Sequence, residues 1–513
     1  MRRVCLFAAV VVAALLLGGA PLHAGEPQGT LAITWGNDLF TFDPHTTSSF
    51  IMVQLHRYVF DGLAHKSPPD YKLGPYTAEG WKWVSPKVLE MRLRRGIKFT
   101  NGEDFDARAV RIGFKRIRDP KLKSRQLRYF RLLERVEEVD KHTVRFHFKK
   151  HDATFLLKLP AWGFPVPPKY YSSHPPSYLA THPVGSGPYK LVKWVKNHEM
   201  ILEANENYWR PGIPKIKRIV QRPIPELGTR VAALLKGELD VIRAVPPHLI
   251  PKIRANPNLK VEIIPAVRIM YMGFVNYKGG PLADVRVRKA INHALDFESI
   301  RTTIMGGLAS PIGQLFHPWT EGHVRGRPRW YPYNPQRAKE LLREAGYPNG
   351  FSVRMISPTG RYPKDRETGQ AIVGQLARVG IRVNYTPLAW SAFVRTFRAH
   401  RRPGTKPFMV FMGFGNGGGI SDSLLIGTVG CGGSWSPFCD KEIDAAIDRA
   451  ASEADDAKRY KIYSGITDLM KKKATHAIFF RIHDAYGVNK RVRYRFRPDE
   501  RIYLWEASVA PTM

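Results

Sequence analysis

No stretch of the 513 residues holds the roughly 18 consecutive apolar side chains that a membrane-spanning helix needs. Catalytic signatures are missing too: there is no G-x-S-x-G elbow, no H-E-x-x-H and no glycine-rich loop ending in Gly-Lys-Ser/Thr. Cysteine is scarce, at three, and no Cys or His stands at zinc spacing. Acid is in deficit, with 44 Asp plus Glu against 80 Lys plus Arg, a formal charge of +36. No repeat at a solenoid period is apparent. An apolar fraction of 43% with 24% charged residues excludes a disordered chain, a collagen and a coiled coil. What remains is a folded protein long enough for two or three domains.

The first residues narrow the setting. Arg2 and Arg3 precede an unbroken apolar run over 4–17, then small residues and Leu22-His23-Ala24 before Gly25. This is the pattern of a secretory signal peptide cleaved after Ala24, so the expected mature protein is exported and soluble. Export argues against nucleic acid as a partner despite the charge. The basic residues are also poorly focused. The densest stretch, 108–135, sets eleven Lys or Arg against Asp119 and Glu134 with few aromatics. It reads as a solvated basic face, with attraction to an anionic membrane surface or acidic partner as the alternative. Cys5 leaves with the signal. Cys431 and Cys439, with seven residues between them in a Gly/Ser-rich loop, are expected to form one local disulfide in an oxidising compartment, with metal ligation as the sharper alternative.

Helix and strand signals alternate, which indicates α/β layers. The pattern predicts strands at 31–34, 81–93, 136–148, 382–386, 408–412 and 476–480. Helices are expected at 49–60, 107–117, 285–295, 335–345, 368–379, 442–451 and 457–470, with Asp106, Asp284 and Asn334 as N-caps. Asn101-Gly102 is a hairpin signal, and the Pro/Tyr/Ser-rich stretch 165–183 reads as a loop at a subdomain boundary.

Gly413-Phe414-Gly415-Asn416-Gly417-Gly418 satisfies G-x-G-x-x-G after an apolar strand, but a dinucleotide site needs a helix on that loop and a later acid, and both are missing. The better reading is a loop whose backbone must approach a chain segment or ligand closely. Asp43-Pro44-His45 has metal-binding atoms, yet a turn or helix cap explains it as well. Many of the 11 Trp, 21 Tyr and 26 Phe lie near Gly or Pro, including Trp81, Trp162, Trp209, Phe414 and Trp435. Each alone is domain packing; together they suit an apolar-walled ligand cleft.

Taken in order, several segments resemble the extracellular solute-binding proteins of ABC importers, family 5, the peptide/nickel-type group. They are Leu39 to Pro44, Val59-Phe60-Asp61-Gly62-Leu63, Glu79-Gly80-Trp81 through Leu93-Arg94-Arg95-Gly96-Ile97-Lys98-Phe99, and Asn101-Gly102. The most specific is Val184-Gly185-Ser186-Gly187-Pro188-Tyr189-Lys190, with Ser186 where the family carries Thr. Asn205 to Trp209, Lys236 to Asp240, Asp284 to Ala290 and Leu341 to Tyr347 follow at family spacing. The resemblance implies an α/β, periplasmic-binding-protein-like two-lobe fold (type II) with an extra subdomain in the first lobe. Lobe I would comprise 25–268 plus 484–513, with the subdomain at about 73–183, and lobe II 269–483. The chain would cross between lobes near 268–275 and 479–486.

The implied function is capture of a peptide-like or other small oligomeric ligand between the lobes and delivery to membrane permease subunits. The resemblance implies no enzyme chemistry, cofactor or metal, and a periplasmic protein that is expected to be a monomer. A binder of a metal chelate or anionic small molecule in the same system is the alternative, and an exported hydrolase the rival class. Peptide-binding members carry a W-x-x-D pattern whose Asp pairs with the ligand's α-amino group; here Phe414 and Gly417 stand at those positions and the next acid is Asp422. A buried ammonium without a carboxylate is costly, which weakens the ordinary peptide reading. Arg361 falls near the family's carboxylate-binding Arg, favouring an anionic or uncharged oligomeric ligand. Expected ligand residues are Arg361 as anion clamp, Phe414, Asn416 and Gly417 as wall, Trp390 and Trp435 as stacking surfaces, and Asp38 and Tyr271.

Overall fold

In the computed structural model the described residues are 26–36, 38–67, 71–318, 320–415 and 419–510. The expected signal segment, Asn416 and Gly417 lie outside them. Among the described residues no helix is long and apolar enough to cross a membrane.

One sheet of eleven strands runs through the molecule. From one edge its strands are Ile381–Leu388, Phe351–Pro358, Phe408–Gly415, Leu259–Phe274, His476–Asn489, Val241–Arg243, Gln28–Thr34, Ile216–Gln221, Glu199–Ala204 and Tyr189–Val195, with Ala309–Ser310 paired onto His476–Asn489. Two long antiparallel strands join its halves. Residues 259–265 of the first pair with 489–483 of the second, and 269–273 pair with 481–476, with the register broken between Pro265 and Ile269. At this break Arg243, Arg268, Asp484 and Glu500 form a buried ion network: Arg243 lies 2.7 Å from Asp484 and 3.0 Å from Glu500, and Arg268 donates to Glu500. The apolar cores fall on either side. One holds Leu31, Phe60, Phe114, Phe146, Tyr189 and Trp505; the other holds Met272, Phe274, Ile291, Met355, Ile372 and Phe479. A separate antiparallel sheet, in the order Ala78–Ser85, Val88–Leu93, Thr143–Phe148, Leu133–Asp140, carries the helix Ala107–Arg118.

Most local expectations match the structure. Asp106 caps Ala107–Arg118 through the Ala109 N–H at 3.1 Å, Asp284 caps Val285–Ala294, and Asn334 caps Pro335–Glu344, each such cap being worth about 1 kcal/mol. Four expectations need correction. His476–Asn489 is 14 residues long rather than five, because its distal half pairs with residues 259–265. Phe408–Gly415 runs on through Gly413 and Gly415, so those glycines lie in a strand. The stretch 165–183 contains two short helices, Pro168–Ser173 and Pro176–Leu179, each with proline in its first turn, where its missing N–H costs nothing. Asn101-Gly102 closes only the isolated bridge Lys98–Asp104.

Candidate ligand-binding cleft

Arg361 lies on the turn between the strand Phe351–Pro358 and the helix Asp365–Ala377. The buried carboxylate of Asp365 fixes this turn by accepting from the N–H groups of Gly360 (3.2 Å), Arg361 (2.9 Å), Tyr362 (3.0 Å) and Arg366 (2.9 Å). Burial nevertheless pushes Asp365 up to about 6. The Arg361 guanidinium stacks over Trp390 at 5.0 Å, and its Nε has no hydrogen-bond partner among the described residues. Burial, and then the like charge of Arg268, hold its pKa down to about 10. Arg268 is committed to Glu500, and among the described residues no carboxylate forms an ion pair with Arg361.

The space it faces is a cleft in two parts. The outer cavity, of about 810 Å³, runs from Asp38, Thr47 and Arg125 on one side to Gly360, Arg395 and Arg398 on the other. A narrower inner pocket of about 80 Å³ continues past Ser48, Ser49, Arg361, Trp390 and Trp435, which border both, to Trp162, Phe414 and Ser423. Trp390 and Trp435 stack at 5.6 Å, and Phe397 packs against Trp435 at 5.9 Å, bracing the helix Trp390–Arg398 against the Cys431–Cys439 loop. Those two cysteines form a disulfide with Cα atoms 4.4 Å apart. On the opposite wall Trp162 stacks on Tyr129 at 4.2 Å.

The inner pocket is rich in donors. Trp162 Nε1 and Ser423 Oγ, on side chains 8% and 5% exposed, have no hydrogen-bond partner among the described residues, like Arg361 Nε. Buried polar groups are almost always satisfied, and Trp and Arg can only donate. Arg268, Arg361, Trp162, Trp390 and Trp435 give the lining of this pocket its donor-only side chains. Among the described residues no carboxylate lines it. Asp422 is turned away: its carboxylate lies 3.4 Å from Lys158 Nζ, which Asp152 also holds at 3.2 Å, all three fully buried. Burial pushes Asp422 up and Lys158 draws it back.

Arg361, Trp390, Trp435 and Phe414 thus meet at one cleft, and Asp38 lies at its mouth. Asp38 is already occupied, accepting from Trp194 Nε1 at 3.1 Å and the Asn197 N–H at 2.6 Å. The structure does not bring Tyr271 to the cleft: it is fully buried behind it, and its hydroxyl donates to the Trp435 carbonyl at 3.5 Å. Sequence reasoning missed Ser423, Tyr129, Arg125, Arg395 and Arg398. Gly413 and Gly415 answer to a chain segment: a Cβ on Gly413 would stand 3.0 Å from the Arg268 side chain, and one on Gly415 2.9 Å from its guanidinium. Asp43 and His45 are structural, Asp43 pairing with Arg116 and His45 Nε2 lying 2.8 Å from the Phe164 carbonyl.

Comparison places this architecture. A periplasmic binding protein from A. tumefaciens R10, AgaA in complex with agropinic acid, superposes with a TM-score of 0.83 at 24% identity, over 94% of this chain and 99% of that one. A dipeptide-binding protein from Pseudoalteromonas sp. SM9913 in complex with Met-Leu gives a TM-score of 0.84 at 21% identity, over 94% and 100%. The fold is that of a type II periplasmic binding protein, mixed α/β with a central cleft. The chain belongs to the bacterial extracellular solute-binding proteins, family 5, whose middle-region model matches residues 72–436. Among its relatives, the glutathione-binding protein GsiB of Escherichia coli O1:K1 / APEC is 26% identical over 475 residues, 90% of each chain. This is a family of transporter binding proteins.

Proposed function

We propose that the protein is the exported binding subunit of an ABC importer and that its cargo is a small peptide-like or oligomeric molecule bearing an anionic group. The cargo sits in the cleft with its anion on Arg361 and acceptor atoms toward Trp162 and Ser423, and leaves unaltered for the membrane permease. The lobes are 25–268 plus 484–513 and 269–483, with an added subdomain at about 73–183, and they close by bending where the register breaks. The protein works in the periplasm as a monomer, after cleavage following Ala24.

One observation carries this reading: Arg361, which has no carboxylate partner among the described residues, lines a pocket to which none of the described residues brings an Asp or Glu. It disfavours a free-amine peptide, whose ammonium finds no anion there. The agropinic acid bound by AgaA is an acid and accords with an anionic cargo, whereas the glutathione bound by GsiB carries a free amine besides its carboxylates. Calorimetry of N-acetylated against free-amine peptides of one sequence tests the reading. Tighter binding of the acetylated form, lost in Arg361→Ala, and recovery of the peptide with unchanged mass are expected. Tight binding of free-amine peptides that is indifferent to Arg361→Ala would overturn it, and so would steady product formation.

A further inference from the structure

The outer cavity carries a second concentration of unpaired positive charge, away from Arg361. On the helix Trp390–Arg398, Ser391, Val394, Arg395 and Arg398 line the cavity at i, i+3, i+4 and i+7 spacing, one stripe of one face. Phe393 and Phe397 are fully buried on another face, so the orientation of that stripe is set by packing. Arg125 enters from the opposite wall, and its neighbours fix its backbone. Gln126 is wholly buried and bonds the Pro44 and Thr47 carbonyls, and Ser124 bonds that of His45. Among the described residues, none of the Arg125, Arg395 and Arg398 side chains makes a hydrogen bond or ion pair with the protein. Among the described residues Asp38 is the one carboxylate lining this cavity, and it is taken up by Trp194 and Asn197.

A helix C-terminus favours arginine and accounts for Arg395 and Arg398 alone. It does not account for Arg125, brought to the same cavity by a segment more than 250 residues earlier in the chain. Arg398 feels both Arg125 and Arg401 as like charges, while Arg128 and Arg401 are tethered to the carbonyls of Gly432 and Gly433 in the disulfide loop. Two walls of one cleft thus bring exposed, like-charged arginines to one cavity, and an anion held between them would relieve that repulsion.

The geometry points to a second anion-binding site across the cleft mouth, formed by Arg125 from one wall and Arg395 and Arg398 from the other, that takes a carboxylate or phosphate at the end of the cargo distal to Arg361. The cargo is then at least dianionic, and its distal charge bridges the walls. This rests on the reading of the cleft as the cargo site.

The test uses N-acetylated di-, tri- and tetrapeptides that share a C-terminal carboxylate and differ only in an N-terminal Glu or Gln, titrated calorimetrically at low salt. A charge-assisted contact predicts that Glu peptides bind the wild type about tenfold tighter than their Gln partners. That preference disappears in Arg125→Gln and in Arg398→Gln, while the weaker binding of the Gln peptides persists. Equal affinity of the two series for the wild type together with a pyrophosphate shift indifferent to both variants, or a Glu preference surviving both variants, overturns the mouth site and leaves the Arg361 reading intact. Loss of both series in Arg361→Gln supports that reading separately. Inorganic pyrophosphate is the peptide-free probe: it raises the wild-type melting temperature, and the shift falls to about half or less in Arg125→Gln and Arg398→Gln. An equal shift in all three proteins counts against the site, and phosphate-specific protection without any Glu preference assigns it to phosphorylated rather than carboxylate cargo.

Discussion

In Arg361→Met the side chain keeps an unbranched apolar stem but loses the guanidinium that stacks over Trp390, and with it a charge that no carboxylate pairs among the described residues. Depression of the Arg361 pKa to about 10 is, at about 1.4 kcal/mol per pKa unit, a penalty on the order of 3 kcal/mol against the charged form in the folded state. Because the folded pKa lies below that of the unfolded chain, the penalty is full at every pH under about 10 and fades only above it. Against it stands the cation–π contact with Trp390, about 1 kcal/mol, and partial exposure screens some of the charge. The net expectation is that the variant gains about 1–2 kcal/mol at neutral pH while empty. Urea unfolding at pH 7, with and without an N-acetylated acidic peptide, reads both effects: the empty variant unfolds at higher urea than the wild type, and the peptide stabilises only the wild type. A variant less stable than the wild type when empty, or one still stabilised by the peptide, would refute the argument. The gain in stability with loss of binding is the usual signature of a strained functional side chain.

Three further expectations follow from neighbouring groups. Lys158→Met leaves Asp152 and Asp422 buried together with no cation and should cost about 3–5 kcal/mol in urea unfolding, with part recovered by adding Asp422→Asn; a loss under about 1 kcal/mol would contradict the buried pairing. Asp365, raised to about 6, keeps a proton in the folded state between roughly pH 4 and 6 that the unfolded chain has released, so its stabilisation is present at low pH and lost as pH rises through 6. Asp365→Asn should therefore flatten the fall in unfolding free energy across that window by up to about 3 kcal/mol, and an unchanged slope would exclude this group. Replacing Cys431 and Cys439 together by serine should cost roughly 2–3 kcal/mol by the loop-entropy relation, leave the far-ultraviolet circular dichroism unchanged and weaken ligand binding, since the loop carries Trp435; unaltered affinity would separate loop from cleft.

The segments legible in the sequence are the ones that build the scaffold. Gly185 and Gly187 press against the Val59 carbonyl, where no Cβ fits, and Gly187 donates to it at 2.8 Å. Asp61 accepts from Tyr208 at 3.1 Å and Trp209 at 2.8 Å, tying two distant motifs together. Such contacts demand particular residues at particular spacings. The cleft makes no comparable demand. The stripe Ser391, Val394, Arg395, Arg398 has helical spacing, but only the burial of Phe393 and Phe397 decides which face looks into the cavity. Arg125 is indistinguishable in sequence from the solvated arginines around it. Tyr271 lies in a strand buried on both faces, where alternation carries no information about which side meets a ligand. Gly413 and Gly415 read as loop because the side chains they pack against, Met270 and Arg268, lie some 145 residues away.

Native mass spectrometry of the protein isolated from its own host addresses the central claim most directly. The account predicts a noncovalent adduct that is released intact, carries anionic groups by its fragmentation, and is missing from Arg361→Met prepared in the same way. A carried molecule without an anionic group, or the same adduct on Arg361→Met, would contradict it.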